Sequence, residues 1–126
     1  LIFDLYYQIQ MTTCVNVKVK YIRPTYNTLY DWMENPQHEY IGRGGVVFIN
    51  KERFPKKSSE WANPFKVNVE GRDKCLELYE NYIREKIKKE GTEELKKLKN
   101  KVLGCWCKPE KCHGDILIKI LNEIEE

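Results

Sequence analysis

The chain has 126 residues, 41% hydrophobic and 33% charged, with 22 Lys and Arg against 19 Asp and Glu for a net charge of +3. That length suits one packed core and is short for two, and the apolar share excludes wholesale disorder. The net charge alone does not mark a nucleic-acid binder, but residues 43–66 carry six basic residues (Arg43, Lys51, Arg53, Lys56, Lys57, Lys66) against Glu52 and Glu60, so one short segment holds the surplus.

Residues 1–10 precede Met11 and read as an N-terminal extension to a single domain over 11–126. They lack the basic start and small-residue cleavage site of a secretory signal, and no apolar run approaches the roughly 18 residues of a membrane span. Val15, Val17 and Val19 alternate with polar residues, which predicts a half-buried strand ending near Tyr21. Pro24 interrupts it, and Thr28 to Glu34 reads as a short helix before Asn35-Pro36. Glu39 to Gly42 and Val46 to Ile49 read as two short strands joined through Arg43-Gly44-Gly45. Residues 50–68 contain two prolines and little periodicity, which predicts a long, irregular, basic loop of the kind that often binds a ligand.

The second half is more regular. Leu76, Tyr79, Ile83 and Ile87 recur on one face of a helix expected from Asp73 to about Lys89, with Cys75, Leu78 and Tyr82 widening that face and Gly91 ending it. Thr92 restarts a short helix towards Lys99, Lys101 to Cys107 reads as a strand, and Asp115 to Glu125 as an amphipathic helix. This alternation predicts the α/β class: a small single domain whose central, partly parallel sheet is flanked by helices in a Rossmann-like three-layer arrangement.

The densest chemistry lies in Cys105-Trp106-Cys107-Lys108-Pro109-Glu110-Lys111-Cys112-His113-Gly114-Asp115. On a strand, Cys105 and Cys107 share one face and Trp106 takes the other. Cys112, His113 and Gly114 then fall at the mouth of the last helix, where free N–H groups and the helix dipole favour an anion such as phosphate. The same field stabilises a thiolate, which makes Cys112 a candidate nucleophile beside His113, with Cys107 in the same reactive centre. Two other readings compete. Cys105, Cys107, Cys112 and His113 are acceptable ligand types for zinc, although a Cys-x-Cys pair and an adjacent Cys-His pair are poorly spaced for one tetrahedron. Alternatively the cysteines pack as small buried hydrophobes and His113 caps the helix. The odd cysteine number and its local crowding favour free thiols in a reducing, cytoplasmic setting over a disulfide framework.

Four stretches occur in a fixed order: Tyr40-Ile41-Gly42-Arg43, then Phe54-Pro55-Lys56-Lys57-Ser58-Ser59-Glu60-Trp61-Ala62-Asn63-Pro64-Phe65, then Leu103-Gly104-Cys105-Trp106-Cys107, then Cys112-His113-Gly114-Asp115. Together they resemble an uncharacterised domain family of large DNA viruses, phages and bacteria, a domain of unknown function, from about Val15 to the C-terminus. The resemblance implies an α/β fold and a site and no settled reaction; for a viral protein the compartment is the host cytoplasm or the virion. Within these motifs Arg43 and the lysines Lys56 and Lys57 are candidate phosphate contacts. Trp61 offers an aromatic surface, Asn63 an amide able to orient a base, and Gly114 an open helix mouth.

The leading expectation is an enzyme, hydrolase or transferase, acting on a nucleotide, nucleoside or nucleic-acid base, with Cys107, Cys112 and His113 reactive and Arg43, Lys56, Lys57, Trp61, Asn63 and Gly114 binding the ligand. One alternative is a non-catalytic nucleic-acid-binding module, zinc-stabilised in one version. Another is a virion-associated interaction protein meeting other viral subunits or its own copies. The chain has no P-loop and no Rossmann glycine fingerprint to narrow the choice.

Overall fold

The computed structural model describes residues 11–124. In chain order it contains β1 (Thr13–Asn16), α1 (Val19–Ile22), α2 (Leu29–Met33), β2 (His38–Tyr40), β3 (Val47–Ile49) and β4 (Glu52–Phe54). There follow α3 (Val67–Glu70), α4 (Arg72–Glu90), α5 (Glu93–Lys96), β5 (Val102–Cys105) and α6 (His113–Ile124). The expected extension over 1–10 lies outside the described residues.

β5 is the centre of a three-stranded sheet in the order β1-β5-β2, and both pairings are parallel. The register sets Cys14 beside Leu103, Asn16 beside Cys105, and Tyr40 beside Gly104. Strand alternation divides β5 between two layers. Leu103 and Cys105 enter a core with Tyr79 and Ile83 of α4, Leu95 of α5, and Leu117, Ile120 and Leu121 of α6. Val102 packs on the opposite side against Val17, Ile22, Leu29, Trp32 and Tyr40. Apolar layers therefore cover both faces of the sheet, as a parallel sheet requires, and the α/β class is borne out.

Gly104 sits where the second layer closes on the central strand. A Cβ there would stand 2.6 Å from the Trp32 ring and 2.7 Å from Val17 Cγ1. Gly104→Ala is therefore expected to destabilise the fold by about 1–3 kcal/mol through overpacking, read as a lowered midpoint in urea.

Two local expectations are corrected and one is refined. The alternation of Val15, Val17 and Val19 does not continue as a strand: β1 ends at Asn16, whose Oδ1 accepts the Lys18 N–H, and Val19 opens α1. This local turn removes the backbone from the sheet ladder. Second, the two strands expected on either side of Arg43-Gly44-Gly45 are both present, as β2 and β3, and they lie in different sheets. β2 joins β5, whereas β3 pairs antiparallel with β4, with Val47 opposite Phe54. Third, residues 50–68 are not wholly irregular, because they contain β4 and the start of α3. Asn50 and Lys51 take φ of 52° and 67°, the left-handed pair that a two-residue hairpin turn needs.

The long helix α4 follows its apolar spacing, burying Cys75, Tyr79 and Ile83. Ion pairs join it to α6: Arg84 meets Glu123, and Lys119 meets Glu80. Among the described residues no helix is long and apolar enough to cross a membrane.

Candidate functional site

The parallel strands β2 and β5 end side by side, and Ile41 donates its N–H to Gly104 O just beyond the pairing. From Cys105 the chain runs through Trp106–Lys111 into α6. Asn16, buried at the end of β1, fixes this connection: its Nδ2 donates to Lys108 O at 2.6 Å and to Trp106 O at 3.3 Å. The start of α6 is closed by Asp115, whose Oδ2 accepts the Cys112 N–H while its own N–H donates to Cys112 O. Lys108 holds the same carboxylate from the loop.

At this carboxyl edge of the sheet lies an open pocket of about 660 Å³, whose lining includes Arg43, Asn63, Phe65, Lys66, Trp106, Cys107 and His113. Ligands of open α/β sheets sit in this location, and a pocket of this volume fits a small organic molecule. Three separated sequence segments meet there. His113 is 8% exposed and its Nε2 lies 2.7 Å from Ile41 O. A carbonyl only accepts, so Nε2 carries the proton and Nδ1 is left as an acceptor. Burial pushes the His113 pKa below its ordinary value, which favours the neutral ring.

Arg43 is partly committed to its own loop. Nε and Nη2 donate to Asn63 O, and Nη2 also to Phe65 O, while Nη1 has no partner among the described residues. The guanidinium thus clamps the loop and still presents two N–H donors. The Asn63 side chain is spent locally, accepting from the Phe65 N–H and donating to Cys75 Sγ. Trp61 is 4% exposed in the core, where Tyr79 OH donates to its carbonyl at 2.6 Å. Lys56 and Lys57 are exposed and are not among the residues lining the pocket.

The cysteines divide into separate environments. Cys107 is half-buried and lines the pocket. Cys112, 1% exposed, faces inward, with its Sγ 3.4 Å from Cys105 Sγ and 3.6 Å from Cys14 Sγ. The sulfurs of Cys14, Cys105 and Cys112 lie within 4.8 Å of one another. All five cysteines are free thiols. The three sulfurs therefore form a set different from the one expected for zinc: Cys105 and Cys112 belong to it, Cys107 and His113 do not, and Cys14 joins it from β1. Hydrogen bonds from Cys112 and Cys14 hold the Cys105 pKa well below the usual thiol range, whereas hydrogen bonding to Cys105 raises those of Cys14 and Cys112. Gly114 makes room for this cluster, because a Cβ on it would stand 2.5 Å from Cys14 Sγ.

Sequence reasoning thus places Arg43, Asn63, Cys107 and His113 around one pocket and misses Lys66, Trp106 and Cys14. Lys66 was visible only as one charge in the basic segment. Trp106 was assigned to the second face of its strand, where it does pack, yet its partly exposed ring also borders the pocket and its Nε1 donates to Tyr40 OH. Cys14 carries no local signal at all.

The family model for a domain of unknown function, DUF4326, matches residues 26–123. The chain is 36% identical over 66 residues to an uncharacterised 12.4 kDa protein in the nrdA-td intergenic region of Enterobacteria phage T4. That alignment takes in 51% of this chain and 61% of the phage protein, so the chain spans under two thirds of that relative. It is 31% identical over 96 residues to the uncharacterised protein R718 of Acanthamoeba polyphaga mimivirus, covering 69% of this chain and 68% of that protein. No solved structure matches the chain significantly.

Proposed function

The chain belongs to the DUF4326 family, and from that premise we propose that it is a nucleotide-directed enzyme domain whose ligand occupies the pocket at the carboxyl edge of β2 and β5. The observation that carries this reading is the convergence of Arg43, Lys66, Trp106, Cys107 and His113 on that one pocket. A phosphate would meet the Nη1 of Arg43 and the Lys66 ammonium. The part-exposed ring of Trp106 takes the stacking role first expected of Trp61, which is buried. Cys107 is the nucleophile in this reading and His113, which lines the same pocket, its base, with the reaction a hydrolysis or group transfer. Cys112 faces the other two sulfurs and takes no part in the pocket.

Calorimetric titration with nucleoside 5′-monophosphates tests the reading. Lys66→Glu, which alters an exposed residue, is expected to weaken binding by about 10-fold or more by replacing attraction with repulsion. Cys107→Ser should retain binding and lose turnover. Absence of binding by any nucleotide, or affinity indifferent to Lys66→Glu, rejects it.

A second reading, a non-catalytic nucleic-acid-binding module, draws on the β3–β4 hairpin. Phe48 is 66% exposed, and the Arg53 guanidinium lies 4.7 Å from its ring centroid. With the neighbouring Lys51, Lys56 and Lys57 this is an aromatic, cationic surface suited to a single strand. It would be favoured if oligonucleotides bound with steep salt dependence while mononucleotides did not bind.

A further inference from the structure

We propose that Cys14, Cys105 and Cys112 are the three protein ligands of a zinc site buried behind the pocket. The first support is geometry. Thiolates at about 2.3 Å from a tetrahedral zinc stand about 3.8 Å apart. The Cys112–Cys105 and Cys14–Cys112 separations of 3.4 and 3.6 Å need only a small expansion to receive the ion.

The second support is that the backbone carrying these sulfurs is held in place: the Cys112 N–H donates to Asp115 Oδ2, and Cys105 O accepts the Val17 N–H. Ligands fixed in this way are oriented before a metal arrives. Asn16 gives the loop a reason to hold this shape, since it ties down the carbonyls of Trp106 and Lys108.

The third support is Gly114, whose missing side chain leaves the space that Cys14 Sγ occupies. Three sulfurs from β1, the end of β5 and the start of α6 are thus brought together by tertiary structure. A disulfide would use two of them and strand the third. The excess negative charge of a zinc tris-thiolate would face the positive end of α6, where the Lys108 ammonium pairs with Asp115. Neither Cys107 nor His113 is needed: the first lines the pocket and the second is bonded to Ile41 O. Three protein ligands leave one tetrahedral position to an exchangeable ligand.

The test uses the full chain, purified under reductant, stripped of metal and titrated with zinc and separately with cobalt. One equivalent of each should bind, and cobalt should give sulfur-to-metal charge-transfer absorption with tetrahedral d–d bands. Cys14→Ser should lower zinc affinity by more than the about 10–100-fold that losing an outer-shell partner costs, whereas Cys75→Ser and Cys107→Ser should leave it unchanged. If the Cys14→Ser variant fails to fold, alkylation of the wild-type chain decides, with modified sites mapped by mass. Zinc-dependent protection confined to Cys14, Cys105 and Cys112 supports the site. Failure of the wild-type chain to bind either metal, protection shared with Cys107, or a disulfide among the three in the reduced preparation overturns it. Because Cys107 and Lys66 stay outside the ligand set, nucleotide binding can fail while this site stands, and the reverse.

Discussion

Tyr79→Ala is expected to destabilise the chain by about 3–5 kcal/mol, a large part of the stability of a domain this size. Tyr79 is fully buried on α4, its hydroxyl donates to Trp61 O at 2.6 Å, and its ring meets the His113 ring edge-on at 5.1 Å between centroids. Truncation therefore leaves a cavity at the point where the 59–65 loop, α4 and the start of α6 come together. Tyr79→Phe keeps the volume and strands only the Trp61 carbonyl, at an expected cost of about 1–3 kcal/mol. Chemical denaturation of the three proteins measures both values. Equal losses for the two variants would mean that the hydrogen bond, and not packing, dominates at this position.

Asn16→Asp is expected to be more damaging than Asn16→Ala, even though Asp is nearly isosteric with Asn. The amide Nδ2 donates to two carbonyl oxygens, at 2.6 and 3.3 Å. Alanine leaves those carbonyls and the Lys18 N–H without their partner, at a cost of about 2–4 kcal/mol for the group. Aspartate instead turns an acceptor-only oxygen towards two other acceptors in a site where Asn16 is 7% exposed. Its carboxyl would have to take up a proton to bond there, so the Asn16→Asp variant should regain stability as the pH falls. The sign follows from linkage: a carboxyl whose folded pKa is raised binds more protons folded than unfolded, so acid stabilises the fold. Denaturation midpoints of the two variants across pH measure this, and a pH-independent gap between them would contradict it.

The amphipathic spacing of α4 and α6 was readable because each buries one continuous stripe, and that stripe repeats in the sequence. The strand leading to Cys105 was readable for a similar reason. Its neighbours were harder. Val17 and Val19 extend a pattern that Asn16 stops through a single side-chain bond to Lys18 N–H, and no period carries that information. The β4 strand holds Glu52 and Arg53, both exposed, so it has little apolar alternation; the clue was the Asn50 turn.

The site divides along the same line. Arg43, Cys107 and His113 stand in motifs that end at the carboxyl edge of the sheet, so position along the chain predicted proximity. The roles of Trp61 and Asn63 depended on tertiary partners, Tyr79 for one and Cys75 for the other. Cys14 is brought to Cys105 and Cys112 by parallel pairing of strands at opposite ends of the chain, a relation with no local trace in sequence.

The pocket at the ends of β2 and β5 is the centre of this account, and amide NMR of the isotopically labelled chain titrated with a nucleoside 5′-monophosphate tests it most directly. The shifts are expected to gather at Arg43, Lys66, Cys107, His113 and the Trp106 indole N–H. Saturating shifts confined to the β3–β4 hairpin around Phe48 and Arg53, or none at millimolar ligand, would contradict it.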